Sequence, residues 1–292
     1  MNAIKKIFLL AVGLIFWLSG CADAEVVSTS EEAGDTSLGA TAPLESPQIQ
    51  DENIWLPEIG STWQWQLSDL PVDMSVEADV YNIDLSETDA TLVEELHAMG
   101  RKVVCYISVG SWEDWREDAE LFPDEVIGRQ YKGWPGEHWL DIRRLDLLAP
   151  ILRSRLDECQ QKGFDGVEAD NVDGFLNDTG FEITYDDQLA FNRWLAEEAH
   201  ARGLSIGLKN DVEQALDLLP FFDWALTESC FEQDWCQEMD VFIQSGKAVI
   251  DVEYSNYTDN LDEICPLAEA MQISVMWKSL DLDAFRQLCP PK

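Results

Sequence analysis

The stretch GFDGVEADNVDGF at 163–175 reads as a short buried strand followed by its exit turn. Side chains alternate across a strand, so Gly166, Glu168 and Asp170 share one face and Val167 and Ala169 the other. Two carboxylates therefore point together toward the strand's C-terminal end. Asp165 precedes the strand and reads as structural, while Asp173 with Gly174 forms an ordinary Asp-Gly turn pair. A calcium loop does not fit, because with Gly174 at the sixth position Ala169 stands first and offers no ligand oxygen.

Seven further β-rich runs surround this one: TWQWQL at 62–67, ADVYNIDL at 78–85, KVVCYIS at 102–108, LSIGLKN at 204–210, DWALTE at 223–228, KAVIDVEY at 247–254 and QISVMWK at 272–278. Between them lie amphipathic segments such as TDATLVEELHAMG and DDQLAFNRWLAEEAHARG. Their apolar residues recur at three and four positions, and they end at the helix stops Gly100 and Gly203. Strand and helix in repeated alternation predict an α/β chain folded as a single (β/α)8 TIM barrel over residues 53–292. No GxGxxG or GxxxxGKS loop supports a nucleotide-binding sheet.

Barrel enzymes carry their chemistry at the C-terminal ends of the strands. Here those ends hold Asp84, Ser108, Asp170, Lys209, Asn210, Glu228, Glu253 and Lys278. Hydrolysis of a glycosidic bond needs two carboxyl groups flanking it, and Asp170 and Glu228, closing the fourth and sixth strands, suit that task. Glu168 and Glu253 can pair with Lys209 and Lys278 across the mouth. Of the aromatic residues, Trp112 and Trp235 are expected in the cleft, with Tyr106 and Tyr254, and the other tryptophans in the core.

Composition narrows the partners. The 292 residues carry 57 acidic against 19 basic side chains, a net charge of -38, which makes nucleic acid a poor partner and favours cationic ligands. Apolar residues make up 46% of the chain, enough for a substantial core. Lys5 and Lys6 precede the apolar run IFLLAVGLIFWL at 7–18, an export signal too short to span a bilayer. LSGC at 18–21 resembles a bacterial lipobox, which implies removal of residues 1–20, lipidation of Cys21 and a membrane anchor, with Ala22 pointing to the outer membrane; the alternative is an ordinary signal peptide with a chance cysteine and a secreted chain. Residues 21–52 read as a flexible acidic tether reaching on the order of 30 Å. The six remaining cysteines suggest disulfides, for which fifteen connectivities exist. Cys230 with Cys236 is the best single pair, Cys265 with Cys289 would fasten the C-terminal helix, and Cys105 with Cys159 is left by elimination. There is no CxxC, and His97, His138 and His200 lie far apart, so no metal and no other cofactor is expected.

The succession WQWQL, VYNIDL, CYISVGSWEDWR, GWPGEHWLDIR, GFDGVEADNVDGF, GLKN, TESCF and GKAVIDVEY is similar to glycoside hydrolase family 114, over about residues 55–290. The resemblance implies a (β/α)8 barrel that cuts internal α-1,4 bonds in galactosamine-containing polysaccharide, with the family's catalytic Asp on Asp170 and its Glu on Glu228. It further implies a cationic amino sugar polymer as partner, with Glu168, Asp84 and Glu253 as candidates to hold its amines, a role not exclusive with ion pairs of Glu168 and Glu253. The mechanism expected is retention, with Glu228 as acid and base and Asp170 as nucleophile, in a monomer. Two alternatives stand beside it: a glycan-binding surface lipoprotein without activity, and a hydrolase of the same fold acting on another partly acetylated amino sugar exopolysaccharide.

Overall fold

The computed structural model describes residues 54–257 and 261–289; Cys21, the export signal and the tether lie outside the described residues. All eight expected strands form: β1 (Trp63–Gln66), β2 (Val80–Asp84), β3 (Lys102–Ser108), β4 (Gly166–Asp170), β5 (Ser205–Lys209), β6 (Trp224–Glu228), β7 (Val249–Tyr254) and β8 (Ser274–Lys278). They pair in parallel in that order, the α/β arrangement of a TIM-type barrel.

The seam of the curled sheet is a feature the strand pattern does not predict. β1 and β8 are not ladder partners; a short antiparallel strand β9 (Gln287–Leu288) pairs with β8 instead. The segment leading into β9 spans the gap. Leu67 and Ser68 donate backbone N–H bonds to the Leu282 carbonyl at 2.9 and 3.2 Å, Gln64 Nε2 reaches the Ala284 carbonyl at 3.1 Å, and Arg286 Nη1 reaches the Trp63 carbonyl at 2.6 Å.

Helices cover the outer face where the periodic segments predict them. Helix α1 (Ala90–Ala98) starts at Asp89, whose carboxylate accepts the Leu92 N–H, and Gly100 follows it in the left-handed conformation. Helix α2 (Leu145–Lys162) ends at a left-handed Gly163, and α3 (Tyr185–His200) opens with a capping box between Thr184 and Asp187. Val167 and Ala169 of β4 belong to the apolar layer between strands and helices, as alternation requires.

The inside of the barrel is filled from below. Trp63 and Trp224 meet at 4.9 Å between ring centroids, and both are buried. Gly207 admits the Trp224 ring, since a Cβ there would lie 2.4 Å from it. This plug leaves the C-terminal ends of the strands as the open end. Asp165, before β4, has the structural role read from the sequence: it accepts from Lys102 Nζ at 2.6 Å and from the Val103 N–H at 2.9 Å.

Three disulfides form. Cys105–Cys159 ties β3 to α2, Cys230–Cys236 closes the loop after β6, and Cys265–Cys289 fastens the seam segment to the helix Leu261–Met271. Between β3 and α2 the chain builds a three-stranded antiparallel sheet, Ser111–Glu113, Ile127–Gln130 and Glu137–Leu140. No helix among the described residues is long and apolar enough to cross a membrane.

Candidate active site

Three strand ends converge on one nitrogen. Lys209, the last residue of β5, is 2% exposed, and its Nζ lies 3.2 Å from Glu168 Oε1, 3.0 Å from Asp170 Oδ1 and 3.1 Å from Glu228 Oε2. Its ammonium also sits over the Trp65 ring at 4.7 Å from the centroid. Burial pulls the Lys209 ammonium down, but Asp170, Glu228 and Glu168 together hold it well above the ordinary lysine value, so it is charged. Asp170 Oδ1 and Glu228 Oε2, each bonded to that nitrogen, are separated by no more than the sum of the two contacts, about 6 Å.

Each of these carboxylates has further donors. Asp170 accepts from Tyr106 Oη at 3.0 Å and from the Asn171 N–H at 2.9 Å. Glu228 accepts from Tyr254 Oη and from Asn210 Nδ2 at 3.3 Å, while Asn210 Oδ1 accepts the Glu228 N–H at 2.9 Å. Burial and the neighbouring carboxylates push both tyrosine hydroxyls well above their ordinary values, so both remain donors. Glu168 lies beneath, fully buried, with Asn82 Nδ2 on its other oxygen; burial raises its pKa and Lys209 opposes that shift.

A second network supports Asp170 from the side of the small sheet. Asn171, at φ 64°, donates through Nδ2 to Ser108 Oγ at 2.9 Å, Ser111 Oγ at 3.1 Å and Glu137 Oε1 at 3.1 Å. Gly110 makes room for this turn, because a Cβ there would overlap the Asn171 carbonyl. Burial, with Asp170 nearby, pushes Glu137 up to about 7, and Asp173 rises to about 6 for the same two reasons.

Above the convergent carboxylates opens a cleft of about 330 Å³, walled by Trp65, Asp84, Tyr106, Asp170, Asn171, Asp173, Lys209, Asn210, Glu228 and Tyr254, by Glu87 and Arg116, by Trp115, Tyr131 and Trp134, and by the seam residues Leu280, Asp281 and Leu282. Eight carboxyl side chains line it against two basic ones. Both bases are already engaged by carboxylates, since Arg116 pairs with Asp84 at 2.7 Å and Glu113 at 2.6 Å. The lining is accordingly anionic.

The structure thus gathers Asp84, Tyr106, Glu168, Asp170, Lys209, Asn210, Glu228 and Tyr254 at or directly beneath one cleft. Five residues expected there lie elsewhere. Val252 and Tyr254 of β7 face the barrel interior, so alternation turns Glu253 to the other side, where it caps the Phe231 and Glu232 N–H groups at 2.9 and 3.0 Å. Lys278 is buried against the seam, donating to the Asp283 carbonyl at 2.7 Å, and burial brings it down to about 7; it does not meet Glu253, whereas Lys209 does meet Glu168. Ser108 is sealed beneath Asn171 and Ser111. Trp112 alternates with Ser111 and Glu113 and turns away, its Nε1 bonded to the Ala119 carbonyl at 3.0 Å. Trp235, within the loop closed by Cys230–Cys236, packs half-buried on the outer apolar layer.

Sequence reading missed Trp115, Tyr131, Trp134, Glu137 and the seam residues. Their positions depend on how the small sheet pairs and where the seam segment lies, and neither carries a local periodic signal.

Two carboxyl groups delivered by different strands to the floor of a cleft of this size are the arrangement that hydrolysis of a glycosidic bond needs. The chain belongs to the glycoside-hydrolase family GH114, whose sequence model matches residues 45–292. It is similar to Aspergillus fumigatus Ega3, solved in complex with galactosamine, at 37% identity and a TM-score of 0.76 over 80% of this chain and 97% of that one. The glycoside hydrolase domain of PelA from Pseudomonas aeruginosa shares the fold, at 15% identity and a TM-score of 0.63 over 78% of this chain and 98% of that one. No curated protein matches the chain.

Proposed function

We propose that this glycoside hydrolase cleaves internal α-1,4 linkages in galactosamine-containing polysaccharide, with Glu228 as acid and base and Asp170 as nucleophile. The observation that carries the reading is the single Lys209 nitrogen shared by Asp170 and Glu228 on the cleft floor. The spacing it imposes on their nearest oxygens, about 6 Å at most, is below the roughly 6.5–9.5 Å that leaves room for an attacking water and favours the retaining geometry near 5–5.5 Å. Asp170 is the less exposed of the two, 17% against 30%, which suits a nucleophile under the sugar ring and an acid and base within reach of the leaving oxygen and of water.

An amino sugar substrate accords with the anionic lining and with the galactosamine bound to the related Ega3. Deacetylated units carry ammonium groups, which a cleft rich in carboxylates concentrates and holds. Export and lipid anchoring through Cys21 rest on the sequence of residues 1–21 and complete the proposal: a hydrolase tethered at the bacterial envelope, facing an extracellular polymer.

Asp170→Asn and Glu228→Gln, assayed on defined oligogalactosaminides, are each expected to lower kcat by about 10³-fold while oligomer binding persists. Turnover at the wild-type rate in either variant refutes the assignment.

A further inference from the structure

Two tryptophans are exposed among the described residues, Trp115 at 53% and Trp134 at 48%, and both line the active-site cleft. They flank one antiparallel pairing of the small sheet: Glu113 faces Glu137, Trp115 follows the first of these strands, and Trp134 precedes the second. Tyr131 joins them on the same wall. Indole faces left half in water on a surface otherwise dominated by carboxylates have an apolar cost that a stacked sugar ring relieves.

The wall is held in place before any ligand arrives. Arg116, next to Trp115, is locked by Glu113 and Asp84. The Asp114 N–H donates to the Gly136 carbonyl at 3.0 Å, Tyr131 N–H to the Glu137 carbonyl at 2.7 Å, and Glu137 N–H to the Trp134 carbonyl at 3.2 Å. Gly136, at φ 89°, permits the close approach, because a Cβ there would lie 2.6 Å from Asp114 Oδ1. The Tyr131 ring packs tilted against Trp139, 4.6 Å between centroids, and Tyr131 lines the same cleft as Asp170 and Asp173. A rigid aromatic surface loses little entropy when it binds.

We propose that Trp115, Tyr131 and Trp134 form a stacking wall that binds sugar rings of the polymer flanking the bond to be cut, and that this wall sets a preference for long chains. The inference deepens the amino sugar reading and rests on it for the identity of the rings. Faces of pyranosyl units meet the indoles, and an ammonium substituent is held over a ring by the same surface.

The test uses galactosamine oligomers of two to eight units, read by KM and kcat for cleavage and by titration calorimetry with Asp170→Asn as the inactive background. Trp115→Ala and Trp134→Ala are each expected to raise KM and weaken binding of long oligomers about threefold to tenfold, with a smaller change for the shortest ones and little change in kcat. Leu121→Ala, exposed on the same excursion but outside the cleft lining, serves as the control. Cleavage with wild-type KM and length dependence in both tryptophan variants overturns the wall and leaves the hydrolase reading intact. Binding that the tryptophan variants weaken, without cleavage by the wild type, supports the wall and refutes the proposed reaction. Absence of any oligomer binding refutes both.

Discussion

Replacing Lys209 by Met keeps much of the side-chain volume over Trp65 and deletes one charge from the centre of the site. Three carboxylates at 3.0–3.2 Å lose their shared cation. At the effective dielectric of a protein site each such contact has a gross attraction of about 5 kcal/mol, mostly offset by desolvation of the ions. Removing one partner of a buried pair leaves the others uncompensated, and the expected loss of stability is about 3–5 kcal/mol at neutral pH. The loss depends on pH in a defined direction. Burial already raises the Glu168 pKa and Lys209 opposes it, so without Lys209 Glu168 is protonated in the folded state at neutral pH. A carboxyl whose folded pKa lies above its unfolded value favours the fold at low pH and loses that contribution as pH rises through the folded value. The deficit of Lys209→Met is therefore smallest at about pH 5 and largest above about pH 8. Catalysis reports the same change, because a carboxylate that loses an adjacent cation is protonated more readily, so the acid limb of kcat/KM moves to higher pH. Urea unfolding at both pH values and a pH–rate profile on oligogalactosaminide test this. An unmoved acid limb, together with a stability deficit independent of pH, refutes the reasoning.

Other consequences are checked more simply. Asp211 is 2% exposed, and burial with Asp173 nearby pushes it up to about 9, so the wild type loses stability as pH rises from about 4 toward that value. Asp211→Asn, neutral throughout, is expected to match the wild type near pH 4 and to unfold at higher temperature near pH 8 by thermal melts. Cys265→Ser with Cys289→Ser opens a covalent link of sequence separation 24 and is expected to cost about 3 kcal/mol in denaturant unfolding. It also frees the segment that contributes Leu280, Asp281 and Leu282 to the cleft, so KM is expected to rise in the same variant. Cys21→Ser is expected to abolish incorporation of labelled palmitate and release the protein from membranes, whereas labelling that persists contradicts the anchor.

The eight strands were legible because each is a short β-rich run set between turn residues or amphipathic segments, and the placement of Asp170 and Glu228 in the cleft because a barrel strand's last inward residue points to the open end. Alternation also set the limit of that reading. In β7 the sequence VIDVEY offers either Glu253 or Tyr254 to the interior, and the choice falls to the neighbours: Val252 and Tyr254 join the inner apolar cluster with Trp65 and Leu226, which sends Glu253 outward. The same ambiguity hid Trp115 and Trp134, which look no different from Trp112 in a segment rich in tryptophan until Glu113 is paired with Glu137. The seam was invisible because 280–288 has no long periodic run, and its attachments are isolated bonds to β1 carbonyls and amides and one disulfide.

The central claim is that Asp170 and Glu228 act across one glycosidic bond at a separation too small for an intervening water. Proton NMR of the first-formed reducing end from an α-1,4-galactosamine oligomer tests it most directly. The α-anomer appearing before mutarotation is the predicted result, and the β-anomer appearing first contradicts the account.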